Sequence, residues 1–303
     1  MNSMIMEHNM IYKAKLKKEF LKQKDGYLFI LPQMLLFLVF MVYPVFEGLR
    51  LSFYNVGFVT KTFVGFRNYI ELFKDSIFIK AVLNNLQFVL IVTTLSVVFG
   101  LFISTAVFDK TSKYMSFIRG CYYLPVMITM VAFSITWLWM VNPAMGLVSH
   151  VLNSIGIQNV NIMGNSTVAL YILIVVMWLF NLGEAVILYL AAIIGIPQEQ
   201  FEAAEIDGAS RFMVIRFIII PLVSPTTFYF VILCFIDVIK VFLAVHLMTA
   251  GGPNYATTTM MYLCYQEAFV MNNMGKASAI GMMMFVIVSL LSIIAMTRLK
   301  AKN

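Results

Sequence analysis

Six separate stretches of this chain are apolar for long enough to cross a lipid bilayer. A spanning helix needs about 20 predominantly apolar residues to cover a hydrocarbon core of roughly 30 Å. The stretches run from Tyr27 to Leu49, Ala81 to Val107, Ile118 to Val141, Val168 to Ile196, Phe217 to Met248 and Ala277 to Met296. Backbone amides and carbonyls in hydrocarbon must be satisfied within the segment, so each is expected to be helical. Composition agrees: 61% of the residues are hydrophobic and 12% charged. A soluble core cannot absorb that apolar fraction, and lipid becomes the main solvent. The expected fold is all-α, a polytopic membrane protein with six transmembrane helices.

The net charge of +7 raises the question of nucleic acid. The basic residues, however, sit between apolar blocks and are not interleaved with aromatics, so they read as topology signals and no nucleic-acid partner is expected. Lys13, Lys15, Lys17, Lys18, Lys22 and Lys24 precede the first span, and Lys110, Lys113 and Arg119 follow the second. Arg211 and Arg216 follow the fourth, and Arg298, Lys300 and Lys302 the sixth. The loops from Asn142 to Thr167 and Thr249 to Gly275 contain neither Lys nor Arg, and the first loop is mixed. By the positive-inside rule both termini are cytoplasmic. The division that follows is a basic leader over 1–26, a six-helix transmembrane domain over 27–297 and a tail over 298–303. The first apolar run is too long for a signal peptide, carries Pro32 and Pro44 and lacks a small-residue cleavage site, so it reads as a retained helix. The leader from Met10 to Lys24 can lie on the inner membrane face or stand as a solvated helix.

Cys121, Cys234 and Cys264 are far apart and form no CxxC pair, and His8, His150 and His246 are isolated. Neither a disulfide framework nor a metal site is expected, and no cofactor is implied. No nucleophile–base cluster marks an enzyme.

The segment after the fourth span, 196–216, has the pattern of a short helix. Pro197 suits a first helical position, Glu199, Glu202 and Glu205 lie in early turns favoured by the helix dipole, and Gly208 permits a left-handed end. A helix is expected from about Pro197 to Asp207. Phe201, Ala204, Glu205 and Gly208 share one face by helical spacing. A bulky ring beside small residues either docks on a partner protein or packs on its own bundle.

Within the spans, Asn181, Glu184, Asp237 and Lys240 stand out. An ionisable side chain at mid-bilayer costs about 2.5–3.5 kcal/mol on insertion scales, so these should face the bundle interior or a wet cavity. Asp237 and Lys240 are three apart on one face and can simply pair with each other; Glu184 shares a face with Asn181. Either set can also hydrogen-bond a polar ligand. Asn84, Asn85 and Gln87, at the start of the second span, read as packing rather than ligand residues. Tyr122, Tyr123, Trp137, Trp139 and Trp178 read mostly as interface belts or bundle packing.

Glu202-Ala203-Ala204, with Gly208 six positions on and then Ile218 and Pro221, resembles the EAA motif of binding-protein-dependent ABC importer permeases. Ile220 replaces the usual Leu. The likeness continues along the chain in Leu31-Pro32, Tyr43-Pro44, Leu51-Ser52-Phe53 and the run from Phe63 to Tyr69. It goes on in Arg119-Gly120, Leu124-Pro125, Trp137, Asn142-Pro143, Gly146-Leu147, the run from Met248 to Pro253 and that from Gly275 to Ile280. These are similar to the first of the two permeases in maltose- and glycerol-phosphate-type carbohydrate uptake systems, without the large outer insertion of some maltose permeases. The family often has an acid where Leu243 stands here.

The resemblance implies a heterodimer with a second permease, two cytoplasmic ATPase subunits and an extracytoplasmic solute-binding protein, in a bacterial cytoplasmic membrane. It implies that Phe201, Glu202, Ala203, Ala204 and Gly208 form the element that couples ATP hydrolysis to transport. The chain has no G-x-x-x-x-G-K-[ST] phosphate loop, so hydrolysis falls to the partners. The competing expectation is an ion-coupled secondary transporter using Glu184, Asp237 and Lys240 as a relay. The absence of a repeat between the two halves of the sequence speaks against it.

Overall fold

The computed structural model describes residues 24–57, 61–107, 120–122, 124, 127–156 and 161–300. The basic leader up to residue 23, the basic loop over 108–119 and Lys302 lie outside the described residues. Two compact units emerge, Met1–Leu51 and Ser52–Asn303.

The first unit contains α1, Lys24–Phe37, and α2, Tyr43–Leu51, which together make an apolar helix of spanning length over Gly26–Leu51. Its ladder shifts to a π-helical turn at Leu38–Val42, where the Tyr43 amide donates to the Leu38 carbonyl. Pro44 follows immediately and has no amide to continue the regular pattern.

The second unit opens with a β-hairpin, β1 Tyr54–Val56 antiparallel to β2 Lys61–Phe63. The all-α expectation is corrected here in a small way. The amphipathic helix α3, Arg67–Lys74, follows, and Asn68 Nδ2 donates to the carbonyls of Ser52 (2.8 Å) and Tyr54 (3.0 Å), fastening the hairpin. The long helix α4 spans Ser76–Val107, beginning one turn before the expected Ala81. Next come α5 Met130–Met140, α6 Leu147–Ser154 and α7 Ser166–Ile194. Then follow α8 Gln198–Ile206, α9 Arg211–Leu222, α10 Ser224–Ile239 and α11 Leu243–Met248. The chain ends with α12 Met260–Tyr265, continued by a π-helical turn to Val270, and α13 Met274–Lys300.

Among the described residues, the continuous α1–α2 helix, α4, α7 and α13 have the length and apolarity of spans, and the α9–α10 pair makes a fifth if taken as one bent element. Two expected spans change shape. The third, Ile118 to Val141, is helical at the described residues 120–122, 124 and 127, breaks at 128–129 and resumes as Met130–Met140, where the Thr129 hydroxyl accepts from the Ala132 amide. The fifth, expected as one helix from Phe217 to Met248, bends by 63° at Val223 and stops at Ile239. A π-helical turn at Ile215–Ile219 precedes Pro221 in the same relation as the turn before Pro44.

The core forms where α4 lies along α7, the most extensive helix pair. Ser96, Gly100 and Ser104 are buried and spaced four apart on α4, which brings the two backbones close. Ser104 Oγ donates to the Val186 carbonyl at 3.0 Å. Phe88, Val92, Leu173, Val176, Phe230 and Cys234 fill the centre, joining α10 to this pair.

Candidate substrate cavity and coupling helix

On α7, Met177, Phe180, Asn181 and Glu184 fall at helical spacing and line one side of a cavity of about 540 Å³. Asp237, at the end of α10, and Lys240, Val241 and Phe242, just after it, line the other side; Met130 of α5 also contributes. The four polar residues singled out in the sequence, Asn181, Glu184, Asp237 and Lys240, therefore meet in one cavity. Lys240 Nζ lies 3.9 Å from Asp237 Oδ1, a loose pair with both side chains more than half exposed. Asn181 is buried, and its Nδ2 donates to the Met177 carbonyl at 2.8 Å. The wall is otherwise apolar, with phenylalanine rings and methionine side chains, a mixture suited to an amphipathic small molecule.

The cavity exists because α10 stops. Breaking a helix inside an apolar bundle frees carbonyls that must find donors. Asn85 Nδ2 of α4 donates to the Ile239 carbonyl at 2.9 Å, while its Oδ1 accepts from the Met260 amide at 2.7 Å. Thr259 Oγ1 donates to the Val241 carbonyl at 2.9 Å. Asn84 Nδ2 donates to the carbonyls of Ala256 and Thr258, both at 2.9 Å. Asn84 and Asn85 thus do more than the packing expected of them: they hold the segment 256–260 and the end of α10 in place. Thr257, Thr258 and Thr259 are all fully buried. The contribution of residues 241–244 was not foreseen, because the expected fifth span ran straight through them; Met130 and Phe180, on other helices, carry no polar atom to set them apart from the apolar residues around them.

A second feature is α8. Pro197 is its N-cap, with extended ψ of 133°, so the helix begins at Gln198, one position later than expected. At the far end the Ala209 amide reaches the Ala204 carbonyl (2.9 Å) and the Gly208 amide the Glu205 carbonyl (3.0 Å). With Gly208 at φ +70°, this is a Schellman ending. Ser210 then caps α9 by accepting from the Met213 amide, and Arg211 donates to the Thr105 carbonyl of α4 at 2.9 Å.

The expected common face of Phe201, Ala204, Glu205 and Gly208 divides. Phe201 is half-buried against the cluster of Ile193, Ile196 and Ile219, and Ala204 is buried, so both turn toward the chain's own bundle. Glu202, Ala203, Glu205 and Gly208 are exposed, and so is Ile206, at 87%. Glu202 and Glu205 border a second cavity of about 650 Å³ that Phe201 and Arg211 also line.

A bundle of apolar helices around a polar cavity, with a short capped helix presenting acidic and small residues, defines a membrane transport permease. The chain belongs to the family described as binding-protein-dependent transport system inner membrane component, whose model matches residues 96–301. It is accordingly a multi-pass protein of the cytoplasmic membrane. It is 33% identical to the probable ABC transporter permease protein YurN of Bacillus subtilis, over 89% of this chain and 94% of that one. It is 30% identical to the trehalose/maltose transport system permease protein MalF of Thermococcus litoralis, over 93% and 95%. Its fold matches a chain of the bacterial alginate ABC transporter solved with an alginate pentasaccharide-bound periplasmic protein. That match has a TM-score of 0.83 at 24% identity and covers 93% of this chain and 96% of the other.

Proposed function

We propose that this permease pairs with a second one to form the path by which a sugar or oligosaccharide enters the cell, driven by two ATPase subunits on the cytoplasmic side. An extracytoplasmic solute-binding protein delivers the cargo, as the periplasmic protein in the alginate complex suggests by analogy. The observation that carries this reading is the convergence of Asn181, Glu184, Asp237 and Lys240 on one cavity at the break in α10. Asn181 and the charged groups supply hydrogen bonds for hydroxyls, and Phe180 and Phe242 supply flat apolar surface for the CH faces of a sugar ring. The name of the trehalose/maltose relative supports carbohydrate as the cargo class.

In this reading the chain crosses the membrane six times, with both termini and α8 on the cytoplasmic side. The exposed Glu202, Ala203 and Gly208 meet the ATPase, with Phe201 and Ala204 transmitting its motion into the cluster around Ile193 and Ile219. An ion-coupled secondary transporter has no use for such a helix, and membership of the binding-protein-dependent family disfavours it.

The test is ATP-driven uptake by the complex assembled in its own membrane. Glu202→Ala and Gly208→Val should each lower uptake at least about tenfold while the complex still assembles, since a β-branched residue is strained at φ +70°. Cysteine crosslinkers placed from Gln200 to Ser210 should capture the ATPase. Normal uptake in both variants, with no ATPase captured, would remove the coupling role.

A further inference from the structure

Glu184 is the charge that the cavity leaves uncompensated. It sits close to the middle of α7, half-buried, and has no hydrogen-bond or ion-pair partner among the described residues. Lys240, the one ammonium among the described residues that line the cavity, is already engaged with Asp237 at 3.9 Å. Asp237 is near enough for its like charge to act on Glu184. Two carboxylates therefore face one ammonium in a space walled by Met130, Met177, Phe180 and Phe242. Asp237 and Lys240 are more than half exposed and screened by solvent, whereas the half-buried Glu184 stands against the apolar wall, where its charge is screened less.

We propose that the cargo is a sugar bearing a protonated amine, whose ammonium pairs with Glu184, and that the cavity rejects acidic sugars. The proposal rests on the sugar-cavity reading given above and names its substrate class. A cationic amine would satisfy Glu184 with a charge-assisted hydrogen bond while Asn181 and the Asp237–Lys240 pair remain for hydroxyls. A carboxylate or phosphate on the cargo would instead meet two like charges, and such juxtaposition is a strong means of exclusion. The rival is a basic residue of the second permease covering Glu184, in which case the charge of the sugar would not matter.

The experiment uses the whole complex, purified through a tag on this chain and freed of its solute-binding protein, so that the binding protein's selectivity is bypassed. Three disaccharides of one shape are compared by calorimetry, with and without a non-hydrolysable ATP analogue. They are β-1,4-linked diglucosamine, cellobiose and cellobiouronic acid. Diglucosamine should bind at least about tenfold more tightly than cellobiose, with cellobiouronic acid weakest. Glu184→Gln, which keeps shape and removes charge, should abolish that ranking. If Glu184→Gln does not assemble, Asp237→Asn gives the same reading by narrowing the ranking. Equal binding of the three sugars, or a preference for the acidic one, overturns the amine proposal and leaves the sugar cavity standing. Binding of none of them removes the sugar cavity itself, and the amine proposal with it.

Discussion

Lys276 Nζ lies 3.0 Å from Asp75 Oδ2, joining two residues 201 positions apart in the sequence. The same ammonium lies 2.7 Å from Glu267 Oε1. One cation thereby ties the start of α4, the π-helical turn after α12 and the first turn of α13. All three side chains are less than a quarter exposed, so solvent screens the triad little. Lys276→Met would leave two largely buried carboxylates facing each other without a counter-charge, a loss of up to about 3–5 kcal/mol. The expected result is a lower thermal midpoint in detergent, and an unchanged midpoint would show that the triad adds nothing.

The triad also sets an acid-side limit. Burial by itself would raise the Asp75 carboxyl, but the Lys276 ammonium and the Ile77 and Phe78 amides outweigh it and hold the group below its ordinary 3.8. A carboxyl lowered by folding stabilises the folded state fully above its unfolded value. The contribution fades as pH falls through the still lower folded value. Wild type should therefore lose stability relative to Asp75→Asn on acidification from about pH 5 toward pH 3. Thermal midpoints of both proteins across that range give the difference curve; parallel curves would contradict it.

Why some of this was readable in the sequence and some not comes down to where hydrogen-bond partners reside. Asn181 and Glu184 declared a polar face because their spacing on an apolar helix is local information. The boundaries of α8 were likewise local, set by Pro197 and the left-handed Gly208. The break after Ile239 was not, since no Gly or Pro marks it and its carbonyl is taken by Asn85, 154 residues earlier. Helical spacing gave Phe201 and Ala204 a common face, but only tertiary packing decides that this face turns inward against Ile193 and Ile219. The β1–β2 hairpin escaped because three-residue strands carry too little alternation to register.

Asn85 offers the sharpest test of how the break is held. Replacing it with Leu keeps the volume but leaves the Ile239 carbonyl and the Met260 amide without partners in an apolar interior. Each orphaned group costs about 1–3 kcal/mol, so a loss of roughly 2–6 kcal/mol is expected. Asn85→Asp, kept protonated by its apolar surroundings, retains an acceptor for Met260 and a hydroxyl donor for Ile239 and should fall between wild type and the Leu variant. Yield of folded protein and thermal midpoint in detergent measure the order; a Leu variant as stable as wild type would mean that the break is held by other bonds.

Gly100 tests the helix pair at the centre of the fold. A Cβ built there would stand 2.7 Å from the Ala185 Cβ, with Tyr189 Cδ2 at 3.3 Å and the Ala185 backbone carbon at 3.4 Å. Neither Ala185 atom belongs to a side chain that can swing away, so Gly100→Ala must push α4 from α7 or distort one of them, a cost of about 1–3 kcal/mol. Ala185→Gly removes the nearest obstacle and leaves the two tighter-than-usual contacts. The double variant Gly100→Ala with Ala185→Gly should therefore recover part of the loss, where independent sites would simply add their penalties. Thermal midpoints of the two single variants, the double variant and the wild type close that cycle. Additive losses would show that these two positions do not set the approach of the helices.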